Sequence, residues 1–195
     1  EEAGFDSLWF VDHLIYRNDA SGRPPQGAWE CWSVLAALAA TTSRVDIGSL
    51  VTATSFRNPA LLAKMADTID EISGGRLILG IGASGPQVME GFHGVPFDAP
   101  MGRTREVVEI CRQVWRRERV SFQGRHYQIP LPADRGTGLG KALKIINPPV
   151  RENIPITIAA LGPKNVELTA EIANGWQPVF FYPELADQVW GDALR

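Results

Sequence analysis

Residues 80–85 have the pattern G-x-G-x-x-G and follow an apolar run that begins at Leu77. After a strand, this pattern is typical of a dinucleotide-binding turn. Such a turn needs a helix that begins at the third glycine, and an acidic residue about 20 residues on, at the end of a second strand. Residues 86–100 contain three prolines and two further glycines, so we expect no regular helix there, and Asp98 follows no predicted strand. The pattern therefore predicts a turn with another purpose.

A second candidate site is the pair Asp12 and His13, which follows the apolar residues 7–11. An imidazole titrates near neutral pH, so His13 can donate or accept a proton during catalysis. A lone histidine after a strand is more often a structural residue, and the residues alone leave both interpretations open. His93 and His126 lie in irregular segments and are interpreted as surface or loop residues.

A third candidate site is Gly162, Pro163 and Lys164, which follow the apolar residues 156–161. Glycine followed by proline is a common way to leave a strand and begin a helix, which explains these residues without a ligand. The free N–H groups and the positive dipole end of a helix start also bind phosphate, to which Lys164 would add charge. Elsewhere the sequence offers no metal-ligand spacing and no motif of a serine or cysteine nucleophile.

The composition is that of a globular protein. The chain has 195 residues, of which 45% are hydrophobic and 21% charged, with a net charge of −3. This charge argues against nucleic acid or an anionic membrane as the main partner, and no apolar run approaches the roughly 20 residues of a membrane span. Cys31 and Cys111 are interpreted as buried thiols of a cytoplasmic protein, with a disulfide as the alternative.

Apolar periodicity predicts alternating strands and helices that must position these sites. Asn58 and Pro59 have the types of a helix cap and a first helical residue, and Gly74 and Gly75 end that helix. We predict strands over residues 7–11, 45–51, 77–81, 156–161 and 176–182. Helices are predicted over residues 29–40, 59–73 and 103–118, from Pro163 to a close at Gly175, and from about Glu184.

The alternation stops between residues 120 and 153. Two short strands, 126–129 and 143–146, are predicted there on either side of a segment rich in glycine and proline, which we interpret as an insertion within one domain, 1–195. Alternating strands and helices imply a parallel sheet, either open or closed into an eight-stranded barrel. The three candidate sites follow strands, and the carboxyl ends of parallel strands are where such folds bind ligands.

Four segments together resemble the luciferase-like flavin and deazaflavin oxidoreductases, and most closely the branch that uses the deazaflavin coenzyme F420. They are the pair DH after the first strand, GSLVTATSFRNP, GRLILGIGASGPQVMEGFHGVPF and AALGPKNVELTAEIANGW. The resemblance implies a TIM (β/α)8 barrel with an insertion, of which about five strands are present here. Residues 1–4 resemble a last helical turn, so we expect the natural start to lie upstream.

The resemblance also implies roles for these residues. In the family, the histidine that matches His13 acts in proton transfer in several members, and its aspartate, here Asp12, lines the cofactor pocket. A bulge that matches Ser49 and Leu50 contains a cis peptide bond and presses against the deazaflavin ring, so we predict a cis bond between these two residues. Thr52, two residues on, would offer a hydroxyl to the cofactor.

The cofactor-binding residues implied by the other two segments are Ala83 and Ser84 in the glycine turn and Leu161, Gly162, Lys164 and Asn165 at the helix start. The last four would hold the cofactor's phosphate tail. Sugar-phosphate dehydrogenases of the family have a carboxylate after the glycine turn where this chain has Gly85, which argues against that substrate class. Glu90 is assigned no role.

The sequence thus predicts an oxidoreductase that moves a hydride between F420 and a small organic substrate, without a metal. The alternatives are an FMN-dependent monooxygenase on the same barrel and a cofactor-binding relative without activity. We expect a homo-oligomer. The sequence names neither the substrate nor the direction of hydride transfer.

Overall fold

A computed structural model describes residues 1–15 and 27–194 of the chain. The strands are β1 (Ser7–Phe10), β2 (Asp46–Ser49), β3 (Thr52–Ala53), β4 (Leu77–Gly82), β5 (Phe122–Gln123), β6 (Gln128–Ile129), β7 (Ile156–Ala159) and β8 (Gly175–Gln177). The helices are α1 (Cys31–Thr41), α2 (Pro59–Ser73), α3 (Pro86–Gly91), α4 (Pro100–Trp115), α5 (Pro163–Ile172) and α6 (Ala186–Leu194), with short 3-10 turns at Ala133–Arg135 and Pro183–Leu185.

Five strands form a parallel sheet in the order β1-β2-β4-β7-β8, and β3 continues alongside β4. Within the described residues the sheet is open between β1 and β8. Leu77, Leu79 and Ile81 of β4 are buried in a core shared with the helices, as are Ile156 and Ile158 of β7. Successive residues of a strand face opposite sides of the sheet. Gly80 and Gly82 therefore lie on the inner face, away from the helices.

Local signals determine the bounds of α2. The Asn58 side chain accepts hydrogen bonds from the backbone N–H groups of Ala60 and Leu61, and Pro59 occupies the first helical position. The C-cap, Gly74, has a φ of 69°, a left-handed conformation that glycine adopts without strain. The predicted start and end of this helix are therefore confirmed.

The expectation of no regular helix after the glycine turn is wrong, because α3 begins directly after Gly85 with Pro86 at its first position. Proline has no backbone N–H. At the first helical position that N–H would have no partner within the helix, so its loss does not oppose the helix. The helix has only six residues and ends before Phe92. The other objection to a dinucleotide site still holds, since the next strand of the parallel sheet after β4 is β7.

Tertiary contacts shorten several predicted elements. The strand predicted over 176–182 ends at Gln177, because Pro178 has no N–H to donate to a neighbour. The helix that was expected to close at Gly175 ends at Ile172. Asn174 exchanges hydrogen bonds with Ile156, which draws the residues after α5 into the sheet. The strand predicted over 45–51 forms only at Asp46–Ser49, as β2, and β3 begins beyond its predicted end.

The insertion between residues 120 and 153 contains the antiparallel pair β5 and β6. The Glu106 carboxylate on α4 accepts backbone hydrogen bonds from Arg125, His126 and Tyr127, which fixes the tip of this hairpin. The predicted strand at 143–146 does not form. Of its residues, the Leu143 carbonyl accepts a hydrogen bond from the backbone N–H of Val120, and no strand ladder follows.

Candidate active site

The predicted site residues follow neighbouring parallel strands at one edge of the sheet. His13 lies three residues after β1, Leu50 lies directly after β2, and Thr52 lies in β3. Residues 83–84 follow β4, and residues 161–165 lead from β7 into α5. Since β1, β2, β4 and β7 are successive neighbours in the sheet, these groups share its carboxyl edge.

Asp12 is held by an ion pair that the sequence did not predict. Its Oδ2 lies 2.7 Å from Arg57 Nη1 and its Oδ1 lies 3.0 Å from Arg57 Nη2. The backbone N–H of Ala53 also donates to Oδ2. Asp12 is buried, and its acceptor atoms are used by these donors. The carboxylate therefore fixes the backbone before His13, whose own side chain is exposed.

Arg57 joins three elements at this edge. Besides Asp12 after β1, its guanidinium donates to Glu30, whose carboxylate caps the first turn of α1, and it lies 5.8 Å from the centre of the Trp32 ring. Burial opposes the charge of Arg57, but the hydrogen bonds and the attraction of Asp12 and Glu30 outweigh it and raise its pKa. Arg57 lies between a strand and the capped start of a helix. A basic residue at such a position is the signal that could have predicted a partner for Asp12.

The bulge after β2 contains a cis peptide bond, but the predicted position is wrong by one residue. The cis bond joins Leu50 to Val51. Ser49 still pairs with Phe10, and the Leu50 N–H donates to the Phe10 carbonyl at 2.8 Å. These contacts keep the chain in the sheet as far as Leu50, so the chain leaves the sheet only after that residue. The buried Ser49 hydroxyl donates to the carbonyl of Gly80 at 2.7 Å, while Leu50 is 45% exposed.

Two glycines of the G-x-G-x-x-G pattern make room for this bulge. A Cβ atom on Gly80 would lie 1.9 Å from the carbonyl oxygen of Ser49, and one on Gly82 would lie 2.6 Å from Val51 Cγ2. Real Cβ atoms do not approach other atoms this closely, so larger residues would displace the bulge. The pattern thus has a packing reason within the sheet, as expected for a turn that does not bind a dinucleotide.

Two enclosed oxygens near this edge have no hydrogen-bond partner within the described part of the chain. Thr52 has no exposed surface, and its Oγ1 is unpartnered. The other is Oε1 of Gln177, at the carboxyl end of β8, which the sequence did not identify. A buried polar group without a partner costs about 1–3 kcal/mol, and a water or a ligand atom at these two oxygens would remove that cost. Residues 49–52 therefore fit a ligand with polar atoms at this bulge.

The start of α5 is open to solvent. Gly162 is its N-cap and supplies no side-chain hydrogen bond, and Pro163 occupies the first position. Leu161, Gly162 and Lys164 are exposed, and Asn165 is half-buried. A Cβ atom on Gly162 would meet no atom within 4 Å, so space for an anion is available there. In the turn after β4, Ala83 is half-buried and Ser84 is exposed with a φ of 62°.

Cys31 and Cys111 are both buried free thiols, as predicted. Burial raises the pKa of each thiol to about 12, and the negative charge of Asp12 contributes at Cys31. Among residues 1–15 and 27–194, no three His, Cys, Asp or Glu side chains gather as metal ligands would. No helix in the same residues is long and apolar enough to cross a membrane.

Comparison with known proteins agrees with this arrangement. A sequence model described as luciferase-like monooxygenase matches residues 1–195. The chain belongs to the luciferase-like monooxygenase family. It is 46% identical, over 95% of its length, to a Mycobacterium tuberculosis protein provisionally named a coenzyme F420-dependent oxidoreductase, of which it covers 50%. This similarity confirms the predicted branch. The chain spans about half the length of the curated relatives it matches.

Two further relatives extend the comparison. The chain is 36% identical to a 5,10-methylenetetrahydromethanopterin reductase of Archaeoglobus fulgidus, over 90% of this chain and 45% of that protein. In fold it resembles an F420-dependent secondary alcohol dehydrogenase with a TM-score of 0.78 and 24% identity, over 99% of this chain and 55% of that structure. The prediction of an incomplete luciferase-like barrel is therefore confirmed.

Proposed function

We propose that the protein containing this chain is an F420-dependent oxidoreductase that transfers a hydride to or from a small organic substrate. The observation that carries this proposal is the enclosed, unpartnered Thr52 hydroxyl beside the Leu50–Val51 bulge, at the edge that also carries His13. The similarity to a relative named as F420-dependent supports the choice of cofactor.

The chain's own residues divide into three groups under this proposal. His13 holds or releases the proton at the substrate oxygen, and Asp12 keeps the turn before it in place through Arg57. Residues 49–52 contact the deazaflavin ring, with Thr52 Oγ1 as a hydrogen-bonding group and the exposed Leu50 as an apolar contact. When bound, F420 supplies the hydride chemistry, and the protein supplies orientation and proton transfer.

The remaining predicted contacts hold the cofactor's other parts. Ala83 and Ser84 would line the ring or its side chain from the turn after β4. Leu161, Gly162, Lys164 and Asn165 would bind the phosphate tail, because the start of α5, which has no side-chain cap, presents its positive dipole end beside the exposed Lys164 side chain.

A titration of the full-length protein with F420 and with FMN tests this proposal. We expect F420 to bind at least tenfold more tightly than FMN, a difference of about 1.4 kcal/mol. A clear preference for FMN would instead favour a monooxygenase. Tight F420 binding without turnover of any alcohol or carbonyl substrate would favour a cofactor-binding relative without activity.

We further propose a homo-oligomer located in the cytoplasm. Along α2, Leu61 and Ile72 are about half exposed and lie on one helical face with Met65, which gives an apolar surface for a second subunit. The two free thiols are typical of a reducing compartment. Sedimentation velocity of the full-length protein and of Leu61→Lys tests the oligomer. A monomer at every concentration would contradict it.

A further inference from the structure

A cavity of about 450 Å³ lies between the start of α2 and the loop that follows α3. Residues 55–58 line it on one side, and His93, Val95 and Pro96 line it on the other. Arg103 of α4 and Tyr127 of the inserted hairpin complete the wall. The volume lies within the range of small-molecule sites, roughly 300–1,000 Å³.

The polar side chains of this cavity carry hydrogen-bond donors, and the amide oxygen of Asn58 is already used by the N–H groups of Ala60 and Leu61. Ser55 and Tyr127 have hydroxyls, Arg103 a guanidinium and His93 an imidazole. Among the described residues, no Asp or Glu lines the cavity. The rest of the wall is apolar and includes Phe56, Met89, Val95 and Pro96. Such a lining favours a ligand with an apolar body and acceptor oxygens.

His93 was expected on the surface or in a loop, and it lies in the loop after α3 but is half-buried. Its ring centre lies 4.6 Å from that of Phe56, and Phe92 packs edge-on at 5.6 Å. The Nε2 atom is enclosed and has no hydrogen-bond partner within the described part of the chain. A ligand atom or a water that reached this nitrogen would supply the missing partner.

The two arginines of the cavity differ in how firmly they are held. Arg57 is used by the buried Asp12 and by Glu30. Arg103 pairs with Asp98, whose side chain is 56% exposed, and lies 5.8 Å from the centre of the Tyr127 ring. Because exposed ion pairs contribute little, Arg103 can exchange Asp98 for another anion.

We propose that this cavity binds an organic carboxylate with a small apolar body. The oxyanion pairs with Arg103 and accepts a hydrogen bond from His93, and the body packs against Phe56, Met89 and Val95. A carboxylate suits a guanidinium because it can accept two parallel N–H donors. This proposal stands apart from the deazaflavin assignment, since none of its residues is among the proposed F420 contacts.

The test is calorimetric titration of the full-length protein with cyclohexanecarboxylate and with its neutral isostere, cyclohexanecarboxamide. We expect the carboxylate to bind at least tenfold more tightly. His93→Phe, which retains the ring against Phe56, and Arg103→Gln should each weaken carboxylate binding at least tenfold. Arg116→Gln, at an exposed ion pair with Glu118 away from the cavity, should leave it unchanged.

Equal binding of the acid and the amide overturns the proposal, as does binding of neither probe at millimolar concentration. Wild-type affinity in both His93→Phe and Arg103→Gln would also overturn it. Thermal melts of each variant separate loss of binding from loss of folding.

A second titration, with F420 at saturation, distinguishes two sources of the oxyanion. If F420 displaces the carboxylate, the cavity holds an anionic part of the cofactor. If both bind together, it holds a free organic acid. The first result overturns the proposal of a site apart from the cofactor and the second supports it, whereas a protein that binds cyclohexanecarboxylate but not F420 would contradict only the proposed function.

Discussion

The two edges of the parallel sheet use polar side chains in different ways. At the amino edge, the Arg76 guanidinium makes five hydrogen bonds, to the Ser73, Val45, Ala39 and Thr42 carbonyls and the Thr42 hydroxyl. Nearby, the buried Asp70 pairs with Arg151 through both oxygens, and its Oδ1 accepts the N–H of Leu77. These groups tie α1, α2, β2, β4 and the segment before β7 together.

The described part of the carboxyl edge has a comparable cluster, Asp12 with Arg57 and Glu30, and the Ser49 hydroxyl is paired as well, but other polar groups there have no protein partner or face solvent. His13 and Lys164 are exposed, and Thr52 Oγ1 is enclosed without a partner. Polar groups that are fully paired stabilise the fold, whereas those without protein partners are available to ligands. The comparison therefore gives the amino edge a structural role and agrees with the proposed site at the carboxyl edge.

The largest expected effect is on catalysis. Because His13 is proposed to transfer the proton, His13→Ala should lower turnover about a thousandfold, equivalent to about 4 kcal/mol, and leave the Kd for F420 within tenfold. Steady-state kinetics and an F420 titration of the full-length protein measure both. His126→Ala, in the insertion, is the control and should retain turnover. Unchanged turnover of His13→Ala would remove His13 from the mechanism.

A substitution at the amino edge should instead lower stability and leave F420 binding unchanged. Arg76→Met leaves several carbonyls without donors and should lower the free energy of unfolding by about 3 kcal/mol, with F420 affinity unchanged. Urea denaturation of the full-length protein measures the loss, and Arg116→Met, at an exposed ion pair, is the matched control. If Arg76→Met weakened F420 binding without destabilising the fold, the division between the edges would be wrong.

A smaller effect separates two buried threonines at the carboxyl edge. Thr52→Val removes the unpartnered hydroxyl and should weaken F420 binding about tenfold, or about 1.4 kcal/mol, without lowering stability. Thr54→Val removes a hydroxyl that lies 3.5 Å from Thr104 Oγ1 and should leave F420 binding unchanged. Equal effects of the two variants on the Kd would show that the Thr52 hydroxyl has no contact with the cofactor.

The smallest effect expected is at the thiols. The pKa of Cys31 and of Cys111 is raised to about 12, so neither should react with iodoacetamide at pH 8 in the folded protein. In the unfolded chain the pKa of both thiols approaches its ordinary value of 9.0, so the stability that their burial confers is complete below pH 9 and is lost between pH 9 and 12. Mass spectrometry of the native protein measures the alkylation. Rapid labelling of Cys31 would show that the carboxyl edge opens.

Much of this fold could be predicted because its signals are local. The cap at Asn58, the proline after it and Gly74 define α2 without reference to the rest of the chain. The apolar residues of β4 and the glycines after them likewise indicate a strand and a turn. The motifs also indicated the family, and with it the edge at which His13, Thr52 and Lys164 lie. Local backbone preferences and side-chain periodicity are properties of a few neighbouring residues, and the sequence displays them directly.

Tertiary structure decided the features that depend on residues far apart in the chain. Arg57 meets Asp12 across 45 positions, and Asn174 is drawn to Ile156 across 18. Leu50 rather than Ser49 precedes the cis bond because Phe10, on another strand, holds both residues in the sheet. Gly80 and Gly82 are required by the bulge that passes beside them, not by the turn that follows. Such contacts arise only when strands align in the sheet, because the space and the partners of each residue are set by the neighbouring strands.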